Sequence, residues 1–367
     1  MIRHYNKKII LEDGTEFYGY GFGADEERIV EAVFNTSMVG YQEILSDPSY
    51  TGQAVVMTYP LMGNYGMCDE DYETEKPTIS ALIVREYNDE PSNFRGKETL
   101  EQVMCRYGIV GMAGVDTRQL ARHIRDKGTC KALITSAETP NIVGFAKMET
   151  MSLPTDQVAQ VSTRTPWKSP AENPRFHVVA VDCGMKHNII RSLNARGCDV
   201  TIVPWEITAE EVEQLHPDGL FISNGPGNPE DAKPVIELVR TLRGKYPIFG
   251  ICLGHQIIAL SYGGKTYKLK FGHRGGNHPV KNLRTGKVEI TSQNHSYAVD
   301  AASLEDTGLC VTHLNLLDNT VEGLRCDADQ IFSVQYHPES APGPQDSGYL
   351  FDEFTAMMEE ARHAKTN

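Results

Sequence analysis

The chain has 367 residues, a length that suggests about two to three domains and a core that folds without staples. Its composition is ordinary for a globular protein, and no apolar run approaches the roughly 20 residues of a membrane span. A net charge of −14 argues against nucleic acid as a main partner, because phosphate binding needs clustered Lys and Arg.

The first residues carry no export signal: the apolar run after Lys8 is cut short by Glu12 and Asp13. None of the eight cysteines forms a CxxC pair, so a reducing cytoplasm is expected, with no zinc knuckle and no redox dithiol. Ile9–Leu11, Ala54–Thr58 and Ile79–Val84 read as strands. The glycine-rich run Gly19–Gly23 lacks the following helix that a phosphate loop requires. A helix is predicted after Asp116 as N-cap, with Leu120, Ala121 and Ile124 on one face and Gly128 as its stop. Residues 1–135 are therefore expected to form a mixed α/β domain. From 136 to 175 periodicity fades, and three prolines between Thr163 and Pro174 suggest a linker.

From 176 the rhythm becomes strand, helix, strand. Val178–Val181, Val200–Val203, Gly219–Ser223 and Pro247–Ile251 are apolar strands. Between them lie a helix with Ile189, Ile190 and Leu193, a capping box at Thr208 and Glu211, and a helix with Val235, Leu238, Val239 and Leu242 at helical spacing. This alternation predicts an α/β domain over 176–367 with an open, mostly parallel sheet flanked by helices. The stretch 276–337 is more strand-like, and Tyr349–Glu360 reads as a closing helix.

The chemistry concentrates in Pro247-Ile-Phe-Gly-Ile-Cys-Leu-Gly-His-Gln256. It reads as a buried strand, a sharp turn between Gly250 and Gly254, then a helix from about His255 to Tyr262. A cysteine at such a turn fits a nucleophile elbow, and the helix N-terminus favours its thiolate. A structural cysteine is the ordinary reading of an isolated Cys; the two flanking glycines shift the reading to a nucleophile. A thiol nucleophile needs a base and the base needs an orienting group. Gln335-Tyr-His-Pro-Glu339, at the end of the strand 331–335, supplies His337 and Glu339 for those roles. Ser223-Asn-Gly-Pro-Gly-Asn-Pro229 follows the third parallel strand, where Gly225 and Gly227 let backbone N–H groups approach a ligand. Phe271–Pro279 holds two histidines five apart, too few for a metal site, and reads as a loop near the pocket.

With Gly250–Gln256, Ser223–Pro229 and Tyr336-His-Pro-Glu339 in this order, the chain resembles the class I glutamine amidotransferases. Phe34–Tyr50, Thr58–Gly66, Gly114–Arg118, Asp182–Asn188 and Phe271–Pro279 extend the likeness to the small subunits of carbamoyl-phosphate synthetases, over essentially the whole chain. The resemblance implies that Cys252 attacks the side-chain amide of L-glutamine, that His337 is base and then acid, and that Glu339 orients His337. It places Ser49, Lys186, Gly225, Gly227, Leu253, Gln256, Asn294, Ser296 and Tyr297 around glutamine, with oxyanion donors on Gly227 and Leu253. It implies no metal and no cofactor in this chain; ATP and Mg2+ belong to a large ATP-binding partner subunit, in a heterodimer or higher oligomer. That subunit receives ammonia and makes carbamoyl phosphate from bicarbonate for arginine and pyrimidine synthesis. The family often has Phe at 183 and Gly-Phe at 296–297, where this chain has Cys183 and Ser296-Tyr297. Three other readings remain at this point. They are an amidotransferase for another acceptor such as chorismate, a γ-glutamyl hydrolase, and an interaction subunit without activity.

Overall fold

The computed structural model describes residues 4–366, with side chains to 364. It divides into two compact units, 1–154 and 155–367.

The first unit contains β1 (Lys7–Leu11), β2 (Glu16–Gly23), β3 (Arg28–Asn35), α1 (Tyr41–Ser46), β4 (Gln53–Met57), β5 (Leu61–Met62), β6 (Ala81–Ile83), β7 (Glu86–Tyr87), α2 (Leu100–Tyr107), β8 (Val110–Ala113), α3 (Thr117–Lys127), β9 (Cys130–Ser136) and α4 (Asn141–Thr150). Seven of its strands close a barrel in the order β1-β2-β8-β6-β4-β3-β9, and β5 and β7 pair separately. The run Gly19–Gly23 is barrel strand. A Cβ on Gly19 would stand 2.6 Å from the Ala113 carbonyl oxygen, so the glycine serves close approach of β2 to β8. Helix α3 forms as its sequence predicts: the Asp116 carboxylate accepts from the Gln119 N–H, and Gly128 ends it.

The second unit contains α5 (Gln157–Val161), β10 (Trp167–Ser169), β11 (Phe176–Asp182), α6 (His187–Asn194), β12 (Cys198–Pro204), α7 (Ala209–Gln214), β13 (Gly219–Ile222), α8 (Lys233–Leu242), β14 (Ile248–Ile251), α9 (Leu253–Ser261), β15 (Thr266–Asn282), β16 (Val288–Val299), β17 (Cys310–Asn315), β18 (Val321–Cys326), β19 (Ile331–Val334) and α10 (Tyr349–Thr366). One sheet runs β10-β12-β11-β13-β14-β19-β18-β17-β15-β16. The stretch β12-β11-β13-β14-β19 is parallel, and the remaining strand pairs are antiparallel. The expected parallel sheet is thus its centre, and the sheet as a whole is mixed. Val179, Val181, Leu220 and Ile222 pack on one face with α8 and α9, while Val178, Ala180, Phe221 and Phe249 pack on the other with α6 and α10. No helix among the described residues is long and apolar enough to cross a membrane.

The stretch 136–175, read from sequence as a linker, holds α4, α5 and β10. Helix α4 escapes periodicity because it buries little beyond Gly144 and Met148 and leaves Ile142 77% exposed. Strand β10 is an edge strand pairing with β12 between prolines, where Pro is tolerated. Phe271–Pro279, read as a loop, lies inside β15. Register shifts against β16 and positive φ at Gly272 and Gly275 carry the irregularity.

Candidate active site

The parallel strands set their C-terminal ends side by side. Cys252 follows β14, His337 follows β19, Ser223–Gly227 follows β13 and Cys183–Lys186 follows β11. This is where ligands meet sheets of this kind. Cys252 is the N-cap of α9 and has φ 55° and ψ −101°, a conformation that costs a non-glycine residue about 1–3 kcal/mol. The surroundings hold it there. Its N–H donates to the Val334 carbonyl at 2.9 Å, and its carbonyl accepts from the Gln256 N–H at 3.2 Å.

The two glycines are needed for contact. A Cβ on Gly250 would lie 2.6 Å from Ile258 Cδ1, and one on Gly254 would lie 2.2 Å from the Ile222 carbonyl oxygen. Gly254→Ala should therefore drive α9 away from β13 and destabilise the fold by about 2–3 kcal/mol, read as a lower urea midpoint. An unchanged midpoint would show that this approach is not tight. The helix begins at Leu253, two residues before the predicted start, because Cys252 itself caps it.

Cys252, His337 and Glu339 are brought together, all less than 5% exposed. His337 Nδ1 is 2.6 Å from Glu339 Oε1. The Cys252 sulfur lies 3.6 Å from the Asn294 carbonyl oxygen, and the buried His337 Nε2 makes no hydrogen bond among the described residues. Burial works against a charged imidazole, but the Glu339 charge and the contacts with Cys252 and Glu339 outweigh it and hold His337 well above its ordinary value. Burial likewise works against the Glu339 carboxylate, but the charges of Lys186 and His337 outweigh it and hold this group well below the ordinary carboxylate range. The proton therefore rests on His337 rather than Glu339.

Lys186, expected beside glutamine, has its ammonium on Glu339 Oε1 at 2.9 Å and on the Ser340 carbonyl at 2.7 Å. The Asn188 amide donates to the Glu339 carbonyl. Neither contact is legible in the sequence, where the Asp182–Asn188 motif is the only signal for both residues.

The other expected residues fall as follows. A Cβ on Gly225 would stand 2.1 Å from the Cys183 carbonyl oxygen, and Gly227 has φ 91°. Leu253 is the first residue of α9, so its N–H has no partner within the helix. Gln256 Nε2 donates to the Tyr297 carbonyl at 2.8 Å and to Gln335 Oε1 at 2.9 Å. Asn294, Ser296 and Tyr297 lie in β16. Ser296 is not among the positive-φ residues, so nothing in its backbone demands the glycine common in the family. The Ser296 hydroxyl accepts from Arg274 at 2.5 Å. Ser49 belongs to the first unit, in the turn Pro48–Tyr50, where its N–H donates to Asp47 Oδ1 at 2.9 Å.

Two features bear on other chemistry. His255, three residues after Cys252, is buried and pushed down to about 3 by burial, with Nδ1 2.9 Å from Ser333 Oγ. It stays neutral and does not compete as the base. His273, His295 and Glu322 bring possible ligand atoms within 4.8 Å of one another. However, His295 Nε2 lies 2.6 Å from Gln293 Oε1, and the Glu322 oxygens face the Asn315 and Gln293 amides at 3.0 and 2.9 Å. Most of the lone pairs a metal would use are already engaged.

Residues 179–357 match the family model for glutamine amidotransferase class-I, and residues 9–134 match that for the carbamoyl-phosphate synthase small chain, CPSase domain. The carbamoyl phosphate synthase small chain of Fusobacterium nucleatum subsp. nucleatum is 54% identical, covering 95% of this chain and 97% of that one. That of Bacillus caldolyticus is 53% identical over 96% and 97%. The carbamoyl phosphate synthase pyrimidine-specific small chain of Halalkalibacterium halodurans is 52% identical over 97% and 98%. With the elbow, the triad and likeness along nearly its whole length, the chain belongs to the carbamoyl phosphate synthase small chain family.

Proposed function

We propose that this chain is the glutaminase of a carbamoyl-phosphate synthetase, working in the cytoplasm beside a large subunit that binds ATP and Mg2+. The observation that carries the reading is the buried set Cys252, His337 and Glu339, with the nucleophile on a strained elbow and the base 2.6 Å from its orienting carboxylate.

The Cys252 thiolate attacks the side-chain carbonyl carbon of glutamine. Negative charge gathers on the amide oxygen, toward which the Leu253 and Gly227 N–H groups donate. His337 gives its proton to the amide nitrogen, the C–N bond breaks, and ammonia leaves a thioester on Cys252. Water then attacks the thioester as His337 takes up its proton. The C–S bond breaks, glutamate departs, and the thiolate with its imidazolium partner returns. Glu339, held as a carboxylate by Lys186, keeps His337 in the tautomer and orientation both steps need. Gln256, Asn294, Ser296, Tyr297 and Gly225 form the glutamine subsite in this reading.

Co-purification with the companion large polypeptide tests this. The pair should form carbamoyl phosphate from glutamine, bicarbonate and ATP. A companion that instead aminates chorismate would leave the triad standing and overturn the pathway.

A further inference from the structure

Behind the glutamine-facing part of β16 runs a chain of buried polar groups. His295 Nδ1 lies 2.8 Å from the Tyr297 carbonyl, which also accepts from Gln256. His295 Nε2 lies 2.6 Å from Gln293 Oε1. Gln293 Nε2 lies 2.9 Å from Glu322 Oε2, and Glu322 Oε1 accepts from Asn315 at 3.0 Å. Glu322 is 0% exposed and His295 4%.

Donors and acceptors must alternate along this chain, and only two proton arrangements achieve that. A carbonyl oxygen only accepts, so His295 Nδ1 carries a proton toward Tyr297. With Gln293 oxygen toward the ring, Nε2 must carry a second proton, making an imidazolium opposite a Glu322 carboxylate. If the Gln293 amide makes a half-turn, its N–H donates to a neutral ring and its oxygen faces Glu322 Oε2, which must then bear the proton. The half-turn gives up only the 3.3 Å contact with the Thr291 hydroxyl.

Burial decides between the two. It pushes the Glu322 carboxyl up to about 7, against the amides of Asn315 and Gln293 and the His273 charge, and it pushes His295 well below its ordinary value, helped by His273. The ionisable groups facing this chain are His273 on β15, with Nδ1 3.8 Å from Glu322 Oε1, and Asp318 in the turn after β17. Arg274 and His278 face His295 from β15, and Tyr336 feels Glu322 from the segment after β19. All but Asp318 and Tyr336 disfavour a charged His295.

We propose that Glu322 is a positioning residue for glutamine, whose proton, passed on through Gln293 as hydrogen-bond polarity, fixes the His295 donor on the Tyr297 carbonyl. Loss of that proton leaves an oxygen of Gln293 against the bare Nε2, or forces the ring proton to Nε2 and strips it from Tyr297. Either way one contact fails, and it fails behind the substrate subsite. The sign follows: the raised carboxyl keeps its proton below about pH 7, so the subsite is set there and loosens as pH rises through that value.

This rests on the glutaminase reading above. The test is glutamine hydrolysis by the assembled complex, with KM and kcat measured from about pH 6 to about pH 8.5, for the wild type and for Glu322→Gln. The glutamine side chain reproduces the neutral acid, donating to Gln293 while accepting from Asn315. Wild-type KM should rise about three- to tenfold across this range, the worth of one buried hydrogen bond. The E322Q complex should keep a low, flat KM, with kcat following the wild type. A wild-type KM that is flat, or an E322Q profile that follows a rising wild-type one, overturns the proposal while leaving the glutaminase reading intact. Absence of any glutamine hydrolysis by the complex overturns both.

Discussion

Replacing Cys252 by serine should reduce glutamine hydrolysis by the complex at least about a thousandfold, while carbamoyl phosphate formation from added ammonia continues. The hydroxyl is nearly the size of the thiol and inherits the same elbow, so folding survives. It does not inherit the chemistry. A serine at this position would have to lose a proton that an alcohol holds far more tightly than a thiol. An alcohol is also a far weaker nucleophile than a thiol near neutral pH. Thermal unfolding within a few degrees of the wild type, together with lost glutaminase and intact ammonia use, is the expected pattern. Retained glutamine turnover would remove Cys252 from the mechanism.

Lys186→Met should cost about 3–5 kcal/mol of stability, because it leaves the buried Glu339 carboxylate without its ammonium partner. The dependence on pH follows from the two shifts. Glu339 is held below its ordinary value, so its share of stability is present above the ordinary carboxylate range and lost as pH falls through its depressed pKa. His337 is held above its ordinary value, so its share is present below that value and lost as pH rises through the raised pKa. Without Lys186 the carboxyl rises, and the acid limb of kcat/KM should move to higher pH. Adding Glu339→Gln should restore much of the stability but not the activity, since the charge that needed compensation has gone. Urea midpoints for the single and double variants check this; equal midpoints for wild type and Lys186→Met would show that the ammonium is not needed.

The parts of this site that could be read from sequence are those set by neighbouring residues. Gly250, Cys252 and Gly254 show an elbow because the strain and the relief lie within five positions. Thr208 and Glu211 form their capping box as the spacing demands, and Asp116 and Gly128 bound α3. Local pattern fails where partners are distant in the chain. Nothing around Lys186 indicates that its ammonium ends on Glu339, and nothing around Gln293 indicates Glu322. Phe271–Pro279 misleads because its glycines and proline imitate a loop, whereas bulges let β15 pass through them and pair with β16. The barrel is invisible for the same reason: β1 is closed by β9, a strand more than a hundred positions away.

Cys252 and His337 follow adjacent parallel strands, with Ile251 opposite Val334 in the ladder and the Cys252 N–H on the Val334 carbonyl. Between them the chain leaves through α9, crosses the antiparallel half of the sheet and comes back. The separation of sulfur and imidazole is thus gauged by one rung of backbone pairing, not by the length of the excursion. Lineages are free to lengthen, shorten or recut the turn between β15 and β16 without retuning the reaction. One residue gained or lost between Val334 and His337 would instead turn the base to the wrong face of the sheet.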